Sequence, residues 1–164
     1  MFVLFSGMAI AAGIIVGKDI GMGKKEEAYR KTKLMSFIAV GVSFVLIAFA
    51  IILLPLILKI FNPEPSVAAS AKNIFYLTML IAPFIAYNLL NICGPLRTGG
   101  DVVFCMIADP ATVWLMGIPF ALISVFVFKF SIEQTFFLVH IEDVLKATLV
   151  WLRTRKSNWI KTLV

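Results

Sequence analysis

Residues 34–58 read LMSFIAVGVSFVLIAFAIILLPLIL, 25 positions without an Asp, Glu, Lys, Arg or His, closed by Lys33 on one side and Lys59 on the other. As a helix rising about 1.5 Å per residue the run is roughly 37 Å long, enough to cross a hydrocarbon core of about 30 Å with some tilt. In lipid the backbone N–H and C=O groups have no water to bond, so a run of this length and apolarity has one stable spanning form, the helix. Every other segment is therefore read as part of an integral membrane protein.

The composition agrees. Of 164 residues, 61% are hydrophobic and 15% charged, against about 25% charged in soluble domains. The net charge of +6 raises the question of nucleic acid. The basic residues, however, lie between and after apolar runs rather than along one face with aromatics interleaved, so the expected partner is the lipid bilayer and not nucleic acid. Cys93 and Cys105 fall in or beside apolar segments and read as small apolar residues.

Working outward, the chain divides into five apolar segments, expected at 2–17, 34–58, 73–96, 102–128 and 135–152, followed by a basic tail at 153–164. The fold class expected is all-α, a polytopic membrane helix bundle. The first segment is short for a crossing, and it lacks the leading basic residue of a signal peptide although Ala9-Ile10-Ala11 resembles a cleavage site. Gly13, Gly17 and Gly21 recur every four residues, either for close approach of helix backbones or as the start of a flexible exit turn. The string from Gly17 to Lys25 is no phosphate loop, because no Ser or Thr follows Lys24 and the glycine spacing is wrong. Residues 24–33 read as a solvated, helical connector with Glu26 and Arg30, and Glu27 and Lys31, each four apart. Pro63 and Pro65 mark a loop over 61–70, and Pro83, Pro95, Pro110 and Pro119 are potential kinks.

The fifth segment holds His140, Glu142, Asp143 and Lys146. Each charge at a helix centre costs roughly 2.5 to 3.5 kcal/mol to insert, so this helix needs protein neighbours, a Glu142–Lys146 pair, or a place at the interface. If the segments alternate, eleven Lys or Arg residues gather on one side and three on the other. This bias places the tail in the cytoplasm. An odd number of spans beginning mid-helix reads as the back part of something larger.

Several strings resemble the multidrug and toxic compound extrusion (MATE) family. They are Val16-Gly17-Lys18-Asp19-Ile20-Gly21-Met22-Gly23 with Glu27-Ala28, then Gly94-Pro95-Leu96-Arg97-Thr98-Gly99-Gly100-Asp101, then Trp114 with Gly117-Ile118-Pro119. The closing Glu142-Asp143-Val144-Leu145-Lys146 and Lys156-Ser157-Asn158-Trp159-Ile160-Lys161 also look like family endings. The resemblance implies a twelve-helix fold of two six-helix lobes, of which this chain looks like the last five helices. It further implies export of amphipathic or cationic organic compounds, driven by sodium ions or protons moving inward. The N-terminal lobe is then an implied partner, and the chain alone is expected to be inactive.

Intramembrane carboxylates suit such exchange, because an ionised carboxylate in a poorly hydrated cavity attracts a cation strongly and takes up a proton readily. Asp101 matches a family position where some members place a cation-site acid; otherwise it caps the fourth helix, with Arg97 as its partner or at the headgroups. Asp109, two turns into the fourth span beside Pro110, is the better intramembrane candidate, unless it only hydrogen-bonds where the proline frees a carbonyl. Asn88 and Asn91, three apart, are candidates for interhelical hydrogen bonding or substrate contact. His140 reads as a packed histidine before a proton relay. The many Met and aromatic residues read as packing or lipid-facing groups that would also suit a promiscuous drug cavity. No paired catalytic acids, metal-ligand cluster or nucleophile with a base appears, so neither an enzyme nor a cofactor is expected. Rival readings are a structural membrane subunit packed on a partner and part of a lipid-linked sugar flippase.

Overall fold

The computed structural model describes residues 2–161 and is built from helices; the last three residues of the expected tail, 162–164, lie outside the described part. Helix α1 runs over Phe2–Gly21 and α2 over Lys25–Phe61. Next come α3 over Pro65–Leu96, α4 over Val102–Val127 and α5 over Ile132–Thr154. A short 3-10 turn, Ser157–Trp159, closes the described chain. By length and composition α1 to α4 qualify as membrane-crossing helices and α5 does not, in line with its burden of charge. The chain is thus an all-α, polytopic helix bundle.

Most segment boundaries shift from those expected, for local reasons. The connector is the start of α2 itself, which at 37 residues is about 55 Å long. Glu26 and Glu27 occupy its first turn, where the helix dipole favours acids. Of the two i,i+4 pairs expected there, Lys31 and Glu27 stand 4.0 Å apart. The same Lys31 reaches back to Asp19 at 2.6 Å and ties α2 to the end of α1. The expected loop over 61–70 shrinks to 62–64, because Pro65 takes the first-turn position where its missing N–H costs nothing. Asn62, at φ 40°, ends α2 by donating its N–H to Leu58. Ser131 and Gln134 form a reciprocal capping box that starts α5.

Not every proline breaks its helix. Residues 65–91 stay α-helical through Pro83, whereas Pro95 lies in a π-helical turn over Ile92–Leu96. In α4, further wide turns span Val113–Gly117 and Ile123–Val127. A π turn bonds i to i+5 and takes up one extra residue, so the helix widens where a proline has removed a donor nearby.

Helix α3 is central, packing on α1, α2 and α5, and α4 leans on α5 and on the end of α3. The crossing of α1 with α3 is paved with glycine. A Cβ at Gly94 would lie 2.5 Å from the Ala9 carbonyl oxygen, and one at Gly13 would lie 2.9 Å from the Thr98 hydroxyl and 3.4 Å from the Gly94 Cα. Gly17 meets the Thr98 methyl in the same way, whereas nothing lies within 4 Å of a Cβ at Gly21. The glycine spacing thus divides: Gly13 and Gly17 admit a neighbouring helix, and Gly21 belongs to the exit.

The connector, the turn at 97–101 and the tail gather at one end of the bundle. Tyr29 donates its hydroxyl hydrogen to the Arg155 carbonyl, and the Lys161 N–H bonds Gly99. Trp159 is fully buried there among Val16, Ala28, Leu96, Cys105 and Val150.

Candidate functional site

The charges of α5 face inward, into the seam with α3 and α4. Lys146 has a side chain only 8% exposed, and its ammonium donates to Asp109 of α4 at 2.9 Å while standing 3.8 Å from Glu142 one turn away. One buried cation therefore serves two carboxylates, which satisfies the rule that a charge removed from water must be paired. The Glu142 carboxylate lies against Gly117, where a Cβ would stand 3.1 Å from Oε2. The absence of a side chain at Gly117 is what makes room for this acid. Oε2 itself has no hydrogen-bond partner.

Around this core, His140 Nδ1 is 2.9 Å from Asp143 Oδ2, and the His140 ring centroid lies 4.3 Å from that of Phe136. His140 is therefore packed and paired within its own helix. Asn88 donates to the Asp143 carbonyl at 2.9 Å, while its Oδ1 is buried without a partner. Asn88, Cys93, Asp109, Asp143 and Lys146 share the lining of a pocket of about 320 Å³. Of its two acids Asp109 is the accessible one, its side chain 59% exposed against 13% for Asp143.

The four residues singled out from the sequence fall into three places. Asp109 and Asn88 meet at this pocket. Asn91 turns instead to α2, where its Oδ1 accepts from Ser36 at 3.0 Å, and its amide donates to the Tyr87 carbonyl. The two asparagines thus bind different helices, α5 and α2.

Asp101 is remote from both, at the N-terminus of α4, its side chain 3% exposed. Its carboxylate makes no capping hydrogen bond to α4, contrary to the expectation that it caps this helix. Nor is Arg97 its partner: Arg97 is exposed, and Asp101 instead takes a two-pronged bond from Arg153 through Nε and Nη2, the latter at 3.0 Å, with Lys161 at 3.4 Å. A bidentate guanidinium is a stronger partner than a backbone N–H, which explains the choice. Hydrogen bonds from Arg153, aided by Lys161, hold the Asp101 carboxyl below the usual carboxylate range despite burial, which acts in the opposite direction.

Sequence reasoning missed the Asp109–Lys146 pair, and with it Arg153 and Lys161. A signal existed for the first: a lysine inside an apolar helix demands an acid, and Asp109 is the one acid inside the fourth segment.

On the far side of the α3–α5 contact, Phe44, Tyr76, Met79, Phe84 and Trp151 help line an apolar groove of about 830 Å³ between α2, α3 and α5.

Comparison with known proteins follows the same direction. The family model described as MatE matches residues 1–152. The "Uncharacterized transporter YisQ" of Bacillus subtilis is 24% identical over 163 residues, covering 98% of this chain and 36% of that protein. The "Probable multidrug resistance protein NorM" of Streptococcus pneumoniae is 31% identical over 91 residues, covering 55% of this chain and 20% of its own length. The chain therefore matches little more than a third of the length of the first relative and a fifth of the second. No solved structure gives a significant match. With the family model running through α1 to α4 and nearly all of α5, the chain belongs to the MatE family of membrane transporters.

Proposed function

We propose that this chain supplies the C-terminal helices of the second lobe of a cation-coupled antiporter that exports drugs or other organic compounds, with the basic end of the bundle in the cytoplasm. One observation carries the coupling part: Lys146 is shared by Asp109 and Glu142 beside a pocket that Asp109 enters. A sodium ion or proton arriving at Asp109 competes with the Lys146 ammonium for the same oxygens, and the displaced ammonium has Glu142 one turn away. Occupancy of Asp109 and pairing with Lys146 then exclude one another, which gives two states for a coupling ion to choose between. Charge bias supports the orientation, since the connector, the turn and the tail, which carry most of the basic residues, lie at one end.

The test is titration of the purified chain with sodium at several pH values. Sodium binding that weakens as the pH is lowered is expected from the parent, and no such binding from Asp109→Asn; unchanged binding in the variant would overturn the assignment. In reconstituted vesicles the chain alone is expected to give no ion-coupled dye efflux, because a cavity between lobes needs both lobes. Clear pumping would refute that requirement.

A further inference from the structure

The connector end of the apolar groove is cationic. The groove of about 830 Å³ between α2, α3 and α5 shares Val40, Tyr87 and Trp151 with a second space of about 440 Å³, whose mouth carries Lys33 and Arg155. Arg155 also borders a third, polar space with Lys25 and Lys156, in which Glu26 is the lone lining acid. Along this track the wall passes from Phe, Met and Leu to hydroxyls and then to basic groups, in the order of a membrane from its acyl region to its headgroups.

Lys33 and Arg155 are exposed, and among the described residues neither is ion-paired with a carboxylate. Each instead rests on an aromatic ring: Lys33 Nζ lies 4.7 Å from the centre of Tyr29, and Arg155 Cζ lies 5.1 Å from that of Trp151. An aromatic face holds a cation in place without neutralising it, so both charges stay available to an anion. The groove rim, with Phe44, Tyr76 and Leu80 all exposed, opens sideways where lipid would lie.

We propose that this track is a binding site for an anionic phospholipid, its phosphate at Lys33 and Arg155 and an acyl chain laid in the groove toward Phe44 and Met79. Charge complementarity selects this occupant. A cationic organic compound would have to pass two unneutralised cations, and a zwitterionic lipid would bring no net charge to meet them. The site is separate from the Asp109 pocket, across the α3–α5 contact, and does not depend on the transport reading.

The experiment is native mass spectrometry of the purified full chain with phosphatidylglycerol or phosphatidylcholine of identical acyl chains. Each basic residue near the surface favours an anionic lipid by roughly fivefold, so two predict a preference of about 25-fold for phosphatidylglycerol. Lys33→Gln with Arg155→Gln should reduce that preference to near unity while helicity and unfolding temperature stay at the parent's values. Val40→Trp, which fills the junction of the two spaces, should weaken retention of both lipids alike. Equal retention of both lipids by the parent, or an undiminished preference in the double variant, overturns the proposal. Binding of inorganic phosphate at the mouth with no retention of phosphatidylglycerol would also overturn it, since the mouth would then be an anion site with no use for the chain.

Discussion

Asp101 and Asp109 belong to the same helix region eight positions apart, yet their surroundings are opposite. Asp101 is buried under a bidentate arginine with a lysine in reserve. Asp109 stands largely exposed, with one bond to a lysine that Glu142 also attracts. The first arrangement is a fastening that holds the end of α5 and the tail against the start of α4. The second is an exchangeable contact. What separates them is the number and geometry of the cations and the depth of burial in the bundle, not the residue type.

The largest effect that sharpens this contrast is expected from Asp101→Asn. Removing one partner of a buried pair leaves the other uncompensated, and because Arg153 is 39% exposed the loss should fall at the low end of the range, about 3 kcal/mol. Thermal unfolding in detergent measures it. Because the folded carboxyl sits below its ordinary value, its contribution is present above the unfolded value of about 3.9 and fades as pH falls through the folded one. The gap between parent and variant should therefore be constant from neutral pH down to about pH 5 and close only in stronger acid. A gap that closes near neutrality would contradict the fastening.

Next in size is Gly99→Ala. Its Cβ would stand 2.4 Å from the Trp159 ring, whose neighbours carry Lys161 to Asp101. Overpacking of this kind costs about 1 to 3 kcal/mol, and tryptic cleavage at Arg155 and Lys156 should accelerate as the tail lifts. Gly21→Ala, where the new methyl meets nothing within 4 Å, is the silent control; equal acceleration in both would remove the explanation.

The smallest effect is expected from Asp109→Asn, because its side chain lies outside the packed interior of the bundle and Lys146 keeps Glu142. A loss as large as that of Asp101→Asn would erase the distinction between the two acids.

Much of the fold was legible in the chain. Uncharged runs between basic residues located α2 and the body of α3, since apolarity over that length has one outcome in lipid. Helix ends were less legible: the charged start of α2 reads as a separate connector, although charge on an exposed helix face does not interrupt hydrogen bonding. At the site, the need of Lys146 for an acid could be read, but which acid it meets depends on the rotation of α4. Arg153 and Lys161 lie 52 and 60 positions from Asp101, and no local pattern links them. The Gly94 to Asp101 string looks like a binding motif, but Gly94 and Gly99 serve contacts with Ala9 and Trp159.

The wide turn at Val113–Gly117 sets the phase of α4. The buried small residues Cys105, Ala108, Thr112 and Gly117 step by three, four and then five, and the five is the added residue of that turn. Closing that turn to a regular α-helix with every residue kept would complete its hydrogen-bond ladder while turning everything beyond it by about 100° relative to Asp109. The bare edge at Gly117 would swing off Glu142, and Asp109 would keep its lysine. Two halves of one helix, each well formed, would then be addressed to different neighbours.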